Sequence, residues 1–230
     1  MNDAATSPET AIKAYVFDAY GTLFDVHSAA GRLQHEIGPC ADQLSNIWRT
    51  KQLLYTWIRS MIGRHKPFHE ITAEALDFAI ESVGGIPDGT RNGLLNAYMT
   101  LDAYPEVRDV LGALKRSGAR LAVLSNGSPM MLEAAVRSAG IADVLDDVFS
   151  IEQVGIYKPD PRVYALVTDA YGCLPAEVSF QSSNRWDIAG AKAFGFHTLW
   201  INRFDQPDEL KDMAPDRVVA SLDPLLERVT

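Results

Sequence analysis

The spacing of apolar and polar positions changes character twice along the chain. Residues 11–17 (AIKAYVF) form a short, mostly apolar run that stops at Asp18-Ala19-Tyr20-Gly21-Thr22. This predicts a buried strand entering a tight turn, with Gly21 where the backbone needs unusual dihedrals or close approach. From about Val26 to Ala97 strand signals nearly vanish. Leu44, Ile47, Trp48, Leu54, Trp57, Ile58 and Met61 fall at spacings that suit one face of a long helix. Ala75, Leu76, Phe78, Ala79 and Ile80 continue that theme after a break at 63–68, and Gly84-Gly85 with Pro87 marks the next loop.

Beyond Tyr104 strand and helix alternate. Pro105 opens a helix to about Ser117, closed by Gly118. Residues 120–124 (RLAVL) read as a strand ending at Ser125-Asn126-Gly127, and Pro129 starts a helix that Gly140 closes. A short strand near 148–150, a helix from Pro161, a strand at 178–181, a helix at 186–194 and a strand at 197–201 complete the pattern. The alternation predicts an α/β fold, a doubly wound parallel sheet, with a helical insertion after the first strand. The core is assigned to residues 1–25 and 100–230 and the insertion to 26–99. Ligands of such sheets bind beyond the carboxyl ends of the strands. Asp18, Ser125-Asn126 and residues 182–187 each follow a strand directly, and Lys158 follows one by a loop. Four polar clusters should therefore meet on one rim, with the insertion placed to close over it as a cap.

Composition adds mainly exclusions. The chain of 230 residues carries a formal net charge of −9 with no basic block, so nothing points to a nucleic-acid partner. An anionic substrate must be captured by locally placed cations and N–H groups. Cys40 and Cys173 form no metal-ligand spacing and read as reduced packing thiols. Residues 1–10 are polar and lack the apolar core of a signal peptide. No apolar run approaches the roughly 18 residues of a membrane helix. A cytoplasmic enzyme with no cofactor is the expectation.

The four clusters resemble, in order, the motifs of the haloacid dehalogenase (HAD) superfamily: Phe17-Asp18-Ala19-Tyr20-Gly21-Thr22-Leu23-Phe24-Asp25, Leu124-Ser125-Asn126-Gly127, Lys158-Pro159-Asp160 and Ser182-Ser183-Asn184-Arg185-Trp186-Asp187. The segment 44–55 (LSNIWRTKQLLY) is similar to the L-2-haloacid dehalogenase subgroup. The resemblance implies a Rossmann-like core with a helical cap. It also implies hydrolysis of short L-2-haloalkanoic acids to D-2-hydroxy acids through an ester on Asp18, with inversion.

Most of the superfamily are Mg²⁺-dependent phosphatases, which place a second Asp two residues after the nucleophile as general acid–base. Tyr20 stands there in this chain. Halide leaves without a proton, so a dehalogenase has no need of that acid. Asn184 replaces one of the acidic residues that hold Mg²⁺, leaving a rim poor in the carboxylates a hard dication prefers. No metal is expected. A Mg²⁺-dependent small-molecule phosphatase and a non-catalytic binding module on the same fold are the alternatives.

On this resemblance Asp18 is the nucleophile, where otherwise it would be a strand-end Asp capping a turn. Thr22 orients it, or simply stabilises the turn. Lys158 keeps Asp18 ionised. Ser125 and Asn126 bind the substrate carboxylate, or serve as ordinary caps of the helix at Pro129. Arg49 reaches from the cap to the leaving halide, though by pattern alone it is an exposed helix arginine. Ser182, Asn184 and Asp187 bind Lys158 and position the hydrolytic water, with Asp187 as its activator. Tyr20, Leu53, Phe68 and Trp186 line the substrate pocket, or are plain core. Tyr164 supports the site from the substrate side, or packs. Arg185 and Gln181 depart from the pattern. Arg185 either tunes substrate size or anion binding or faces solvent. The partners expected are a small halogenated acid and a second copy of the chain, as a homodimer, with no nucleic acid or membrane.

Overall fold

The computed structural model describes residues 11–228; the polar segment 1–10, read above as no signal peptide, lies outside the described residues. A parallel sheet is built from β1 (Ala14–Phe17), β2 (Arg120–Ser125), β3 (Asp147–Ser150), β4 (Val178–Ser182), β5 (His197–Ile201) and β6 (Arg217–Val219), in the order β3-β2-β1-β4-β5-β6. The chain winds outward from β1 through β2 and β3, then returns to add β4, β5 and β6 on the other side. The winding reverses between β1 and β4, which is where such sheets leave a crevice for ligands. The register there pairs Phe17 with Gln181, so Asp18 and Ser182 lie at the same end. The Asp18 N–H donates to Gln181 O at 2.9 Å and carries the pairing one residue further.

The central strands β1, β2 and β4 are buried on both faces, as parallel strands covered by helices must be. Val16, Phe17, residues 121–124, Val178, Phe180 and Ile201 have no exposed surface. The covering helices are α6 (Val107–Arg116), α7 (Pro129–Ser138), α8 (Pro161–Tyr171) and α9 (Arg185–Phe194). Pro129 and Pro161 stand in the first turns of α7 and α8, and the Asp160 side chain caps α8 by accepting from Arg162 N at 3.0 Å. Strand β6 went unread in the sequence. It has three residues, and Val218 is exposed, so neither an apolar run nor an alternation marks it.

Between β1 and α6 lie α1 (Ser28–Arg32), α2 (Gln34–Ile37), α3 (Ala41–Met61), α4 (Phe68–Ser82) and α5 (Thr90–Tyr98). Helix α3 packs along α4, and α1 packs against α3 and α5. The chain leaves and re-enters the sheet side by side. Asp25 N donates to Asp102 O at 2.8 Å, Tyr104 N donates to Leu23 O at 3.0 Å, and Phe24 pairs with Ala103 in an isolated bridge.

Candidate active site

Asp18 sits where β1 ends, 5% exposed. Its two carboxylate oxygens face different groups. Oδ2 accepts from Asn184 Nδ2 at 2.7 Å, Thr22 Oγ1 at 3.3 Å and Ser182 Oγ at 3.4 Å. Oδ1 accepts from Lys158 Nζ at 3.2 Å. One oxygen is thus held by three neutral donors and the other by a single cation. The turn that makes this possible needs Gly21, at φ 90°. It brings Thr22 back beside Asp18, and Ser183 N donates to Thr22 Oγ1 at 2.8 Å to fix the hydroxyl.

Lys158 has a fully buried side chain. Its Nζ bridges Asp18 Oδ1 and Asp187 Oδ2, the latter at 2.8 Å, and lies 4.9 Å from the centre of the Phe180 ring. Burying a lysine ammonium is costly unless it is paired and hydrogen-bonded; here two carboxylates do both. Its backbone is anchored as well, since Lys158 N donates to Asn126 Oδ1 at 3.1 Å. Asp187, in the first turn of α9, is buried too. Its Oδ1 accepts from the Tyr164 hydroxyl at 2.7 Å. Burial, the largest cause, raises the Asp187 carboxyl to about 6 against the pull of Lys158.

Arg49 projects from α3 over this group, half-buried. Nη1 donates to Gln52 Oε1 at 2.9 Å, and Nη2 lies 3.3 Å from Tyr20 O and 3.4 Å from Asn184 Oδ1. All three acceptors are neutral. Behind it runs a buried polar chain that the sequence reading missed. Gln52 Oε1 also accepts from the Tyr98 hydroxyl at 3.1 Å, while Gln52 Nε2 donates to Thr72 Oγ1 at 2.8 Å. The Thr72 hydroxyl donates to Phe68 O at 2.7 Å, and Trp48 Nε1 donates to Thr72 O at 2.8 Å. The available signal was Gln52, one helical turn from Arg49 on the same face.

An aromatic wall stands beside Arg49. The Tyr20 ring lies 5.6 Å from Phe68 and 5.6 Å from Tyr98, stacked on the latter. Burial raises the Tyr20 and Tyr98 phenols above their ordinary values, so both stay neutral. The Tyr20 hydroxyl is buried and has no hydrogen-bond partner among the described residues. Trp186 and Leu53 are half-buried, and Trp186 meets Trp57 edge to face at 5.5 Å. Ser125 is buried at the end of β2, its Oγ accepting from Gly127 N at 3.1 Å.

Three sequence expectations need correction. Tyr164 does not stand on the substrate side: it has no exposed surface and its hydroxyl is turned onto Asp187 from behind. Arg185 neither faces solvent nor points at the site. It is 5% exposed, pairs with Asp208 at 2.7 Å, and donates to Leu210 O and Met213 O at 2.9 and 3.1 Å. Its position at the start of α9 turns it toward the loop after β5 instead. Ser182 and Asn184 bind Asp18 rather than Lys158. Gln181 is buried, with Nε2 donating to Ser179 Oγ at 2.6 Å.

Among the described residues no group of three or more His, Cys, Asp or Glu side chains is arranged to hold a metal ion. The positive charge between Asp18 and Asp187 is the Lys158 ammonium.

Comparison with known proteins agrees with this geometry. A family model of haloacid dehalogenase-like hydrolases matches residues 12–195. The (S)-2-haloacid dehalogenase 1 of Pseudomonas sp. (strain CBS-3) is 48% identical over 95% of this chain and 98% of that protein. A crystal structure of a dehalogenase with an intermediate complex superposes with a TM-score of 0.93 at 42% identity, over 95% of this chain and 97% of the other. The L-2-haloacid dehalogenase of Xanthobacter autotrophicus, solved with chloropropionic acid covalently bound, gives 0.88 at 37% identity, over 95% and 98%. The chain belongs to the haloacid dehalogenase-like hydrolases, in their L-2-haloacid dehalogenase subgroup.

Proposed function

We propose that this protein is an (S)-2-haloacid dehalogenase in which Asp18 Oδ1 displaces halide from C2 of a short L-2-haloalkanoic acid. The observation that carries the reading is Arg49. It is a half-buried cation whose acceptors among the described residues are all neutral, held above a carboxylate whose second oxygen is tied by three donors. Asn184, Thr22 and Ser182 fix Oδ2 and so aim Oδ1, whose lone pairs are engaged by one contact. Holding reactants in line in this way supplies roughly 7–11 kcal/mol of a barrier in favourable cases.

The charges balance through both steps. At rest, Asp18 and Asp187 offset Lys158 and Arg49. As the ester forms, Asp18 loses its charge and the departing halide acquires one beside Arg49; no proton moves. Lys158 then pairs with Asp187 alone. Water attacks the ester carbonyl of Asp18, Asp187 takes its proton, and the C–O bond to Asp18 breaks. The proton passes to the alkoxide, releasing a D-2-hydroxy acid with inversion at C2 set in the first step, and the water's second proton leaves the regenerated Asp18 carboxyl for solvent, restoring its charge. Ser125 and Asn126 bind the substrate carboxylate, and Tyr20, Leu53, Phe68 and Trp186 enclose its alkyl group. The unpartnered Tyr20 hydroxyl is available to a ligand as a donor. Tyr20 at the position of a phosphatase acid, and an ammonium bridging the two carboxylates, support a metal-independent reaction.

Residues 26–99 act as the cap that carries Arg49 to the rim, with the core in 1–25 and 100–230. Two further expectations fit the surface. Leu54, Ile58, Met61, Ile62 and Phe78 leave apolar side chains exposed on α3, α4 and the turn after α3, which suits a homodimer. The free thiols of Cys40 and Cys173 suit the cytoplasm.

The test is chloride release from racemic 2-chloropropionate in EDTA, with the residual enantiomer measured. Chloride with loss of the L form only, abolished by Asp18→Asn, is the expected result. Phosphate ester hydrolysis appearing with Mg²⁺ in place of chloride release would sink the reading.

A further inference from the structure

Gly190 lies inside α9, where a glycine is the least favoured residue after proline and alanine would be preferred by propensity alone. A side chain there has no room. A Cβ added at Gly190 would stand 2.5 Å from the Tyr164 hydroxyl and 2.5 Å from Pro159 Cβ. Real Cβ atoms do not approach other heavy atoms so closely, and neither neighbour can yield cheaply. Tyr164 is fully buried, with Phe180, Phe194 and Phe196 around its ring. Pro159 is a rigid ring next to Lys158. Both contacts therefore lead into the site. The Tyr164 hydroxyl donates to Asp187 Oδ1 at 2.7 Å and to Asp187 O at 3.2 Å. Lys158 Nζ holds the other oxygen of the same carboxylate.

We infer that Gly190 is a positioning residue for ester hydrolysis: its missing side chain lets Tyr164 and the Lys158-Pro159 backbone close on Asp187 and fix the carboxylate that activates water. The inference rests on the proposed reaction and deepens it. Gly190 touches neither substrate nor Asp18, and Asn184, Thr22 and Ser182 hold Asp18 Oδ2 independently of it, so the first step should feel it far less than the second, although Lys158 also contacts Asp18 Oδ1. The second step should feel it strongly, because displacing a catalytic group by about 1 Å can cost 10²-fold.

The experiment is rapid quench with L-2-chloropropionate, following chloride release and the mass of the Asp18-containing peptide. In the wild type, the ester forms and decays. In Gly190→Ala the chloride burst should stay within about threefold of wild type, while ester decay slows by about 10–100-fold and the ester accumulates. Tyr164→Phe should likewise slow decay and spare the burst. In a Tyr164→Phe background, which removes the hydroxyl that the new Cβ strikes, Gly190→Ala should cost at least about threefold less than alone. Equal slowing of both steps, or an undiminished cost in the Phe background, overturns the inference and leaves the reaction standing. Unchanged ester decay in Tyr164→Phe overturns it even where Gly190→Ala does not fold. A wild type that releases chloride without ever labelling Asp18 overturns the covalent reading first, and this inference with it.

Discussion

The Nζ of Lys158 lies 2.8 Å from Asp187 and 3.2 Å from Asp18 with no exposed surface, so a single ammonium serves two buried carboxylates. Taking it away leaves both acids without their cation. Lys158→Met should lose activity and about 3–5 kcal/mol of stability. The loss should be smaller at pH 5 than at pH 8, because protonating one acid ends the repulsion between them. Urea midpoints at the two pH values test this; an equal loss at both would mean that Lys158 does not offset both charges.

The pH dependence of activity and of stability should diverge. Burial raises the Asp187 carboxyl from the ordinary 3.8 to about 6. A group raised in the fold contributes stability that is present below about pH 3.8 and is lost as pH climbs through about 6. In the proposed reaction activity goes the other way, since Asp187 can accept the proton of water only when ionised. The rate of ester hydrolysis should fall below about pH 6, as Asp187 takes up its proton. Tyr164 donates to Asp187 and lowers its carboxyl, so Tyr164→Phe should move the acid limb to higher pH. A limb that does not move in that variant would place the titration elsewhere.

Arg49 faces neutral acceptors and is assigned to the departing halide. A cation about 4 Å from a forming anion contributes roughly 4 kcal/mol at an effective dielectric of 20, which is about 10³-fold in rate. Arg49→Gln should approach that loss with 2-chloropropionate and fall short of it with the iodo acid, whose leaving group needs less help. An equal loss with both, seen mainly in KM, would assign Arg49 to the substrate carboxylate instead.

Gln52 should matter through Arg49. Gln52→Leu removes the acceptor shared by Arg49 and Tyr98 and the donor to Thr72. Leaving such buried groups unpaired costs about 1–3 kcal/mol each. The expected result is a lowered thermal midpoint together with a reduced rate of halide release. An unchanged burst would show that Arg49 holds its place without Gln52.

Arg185→Met separates a structural arginine from a functional one. Its guanidinium ties down Asp208, Leu210 and Met213. The variant should lose about 1–3 kcal/mol and keep its preference among 2-haloacids. A shifted chain-length preference at unchanged stability would restore it to the site.

Local chemistry decided what the sequence could reveal. Strands β1, β2 and β5 announced themselves as largely apolar runs ending in polar or turn residues, because strands covered by helices on both faces are apolar; β3 and β4 were marked by short stretches around Phe149 and Phe180. Proline at a helix start marked α7 and α8 for equally local reasons. Asp18, Thr22, Ser125, Lys158 and Asp187 were legible because a parallel sheet puts its strand ends on one rim, so order along the chain became proximity in space. What lay between elements distant in sequence was not legible. That Ser182 and Asn184 hold Asp18 rather than Lys158, that Tyr164 stands behind Asp187, and that Arg185 turns to the 208–213 loop all depend on side-chain directions at helix starts. The Gln52–Tyr98–Thr72 chain needs α3, α4 and α5 packed together, and the demand on Gly190 appears only when α8 lies against α9. The sequence by itself determined which residue types reached the rim. Only the tertiary structure decided which atom faced which, because a hydrogen bond depends on ångström distances and angles that packing alone sets.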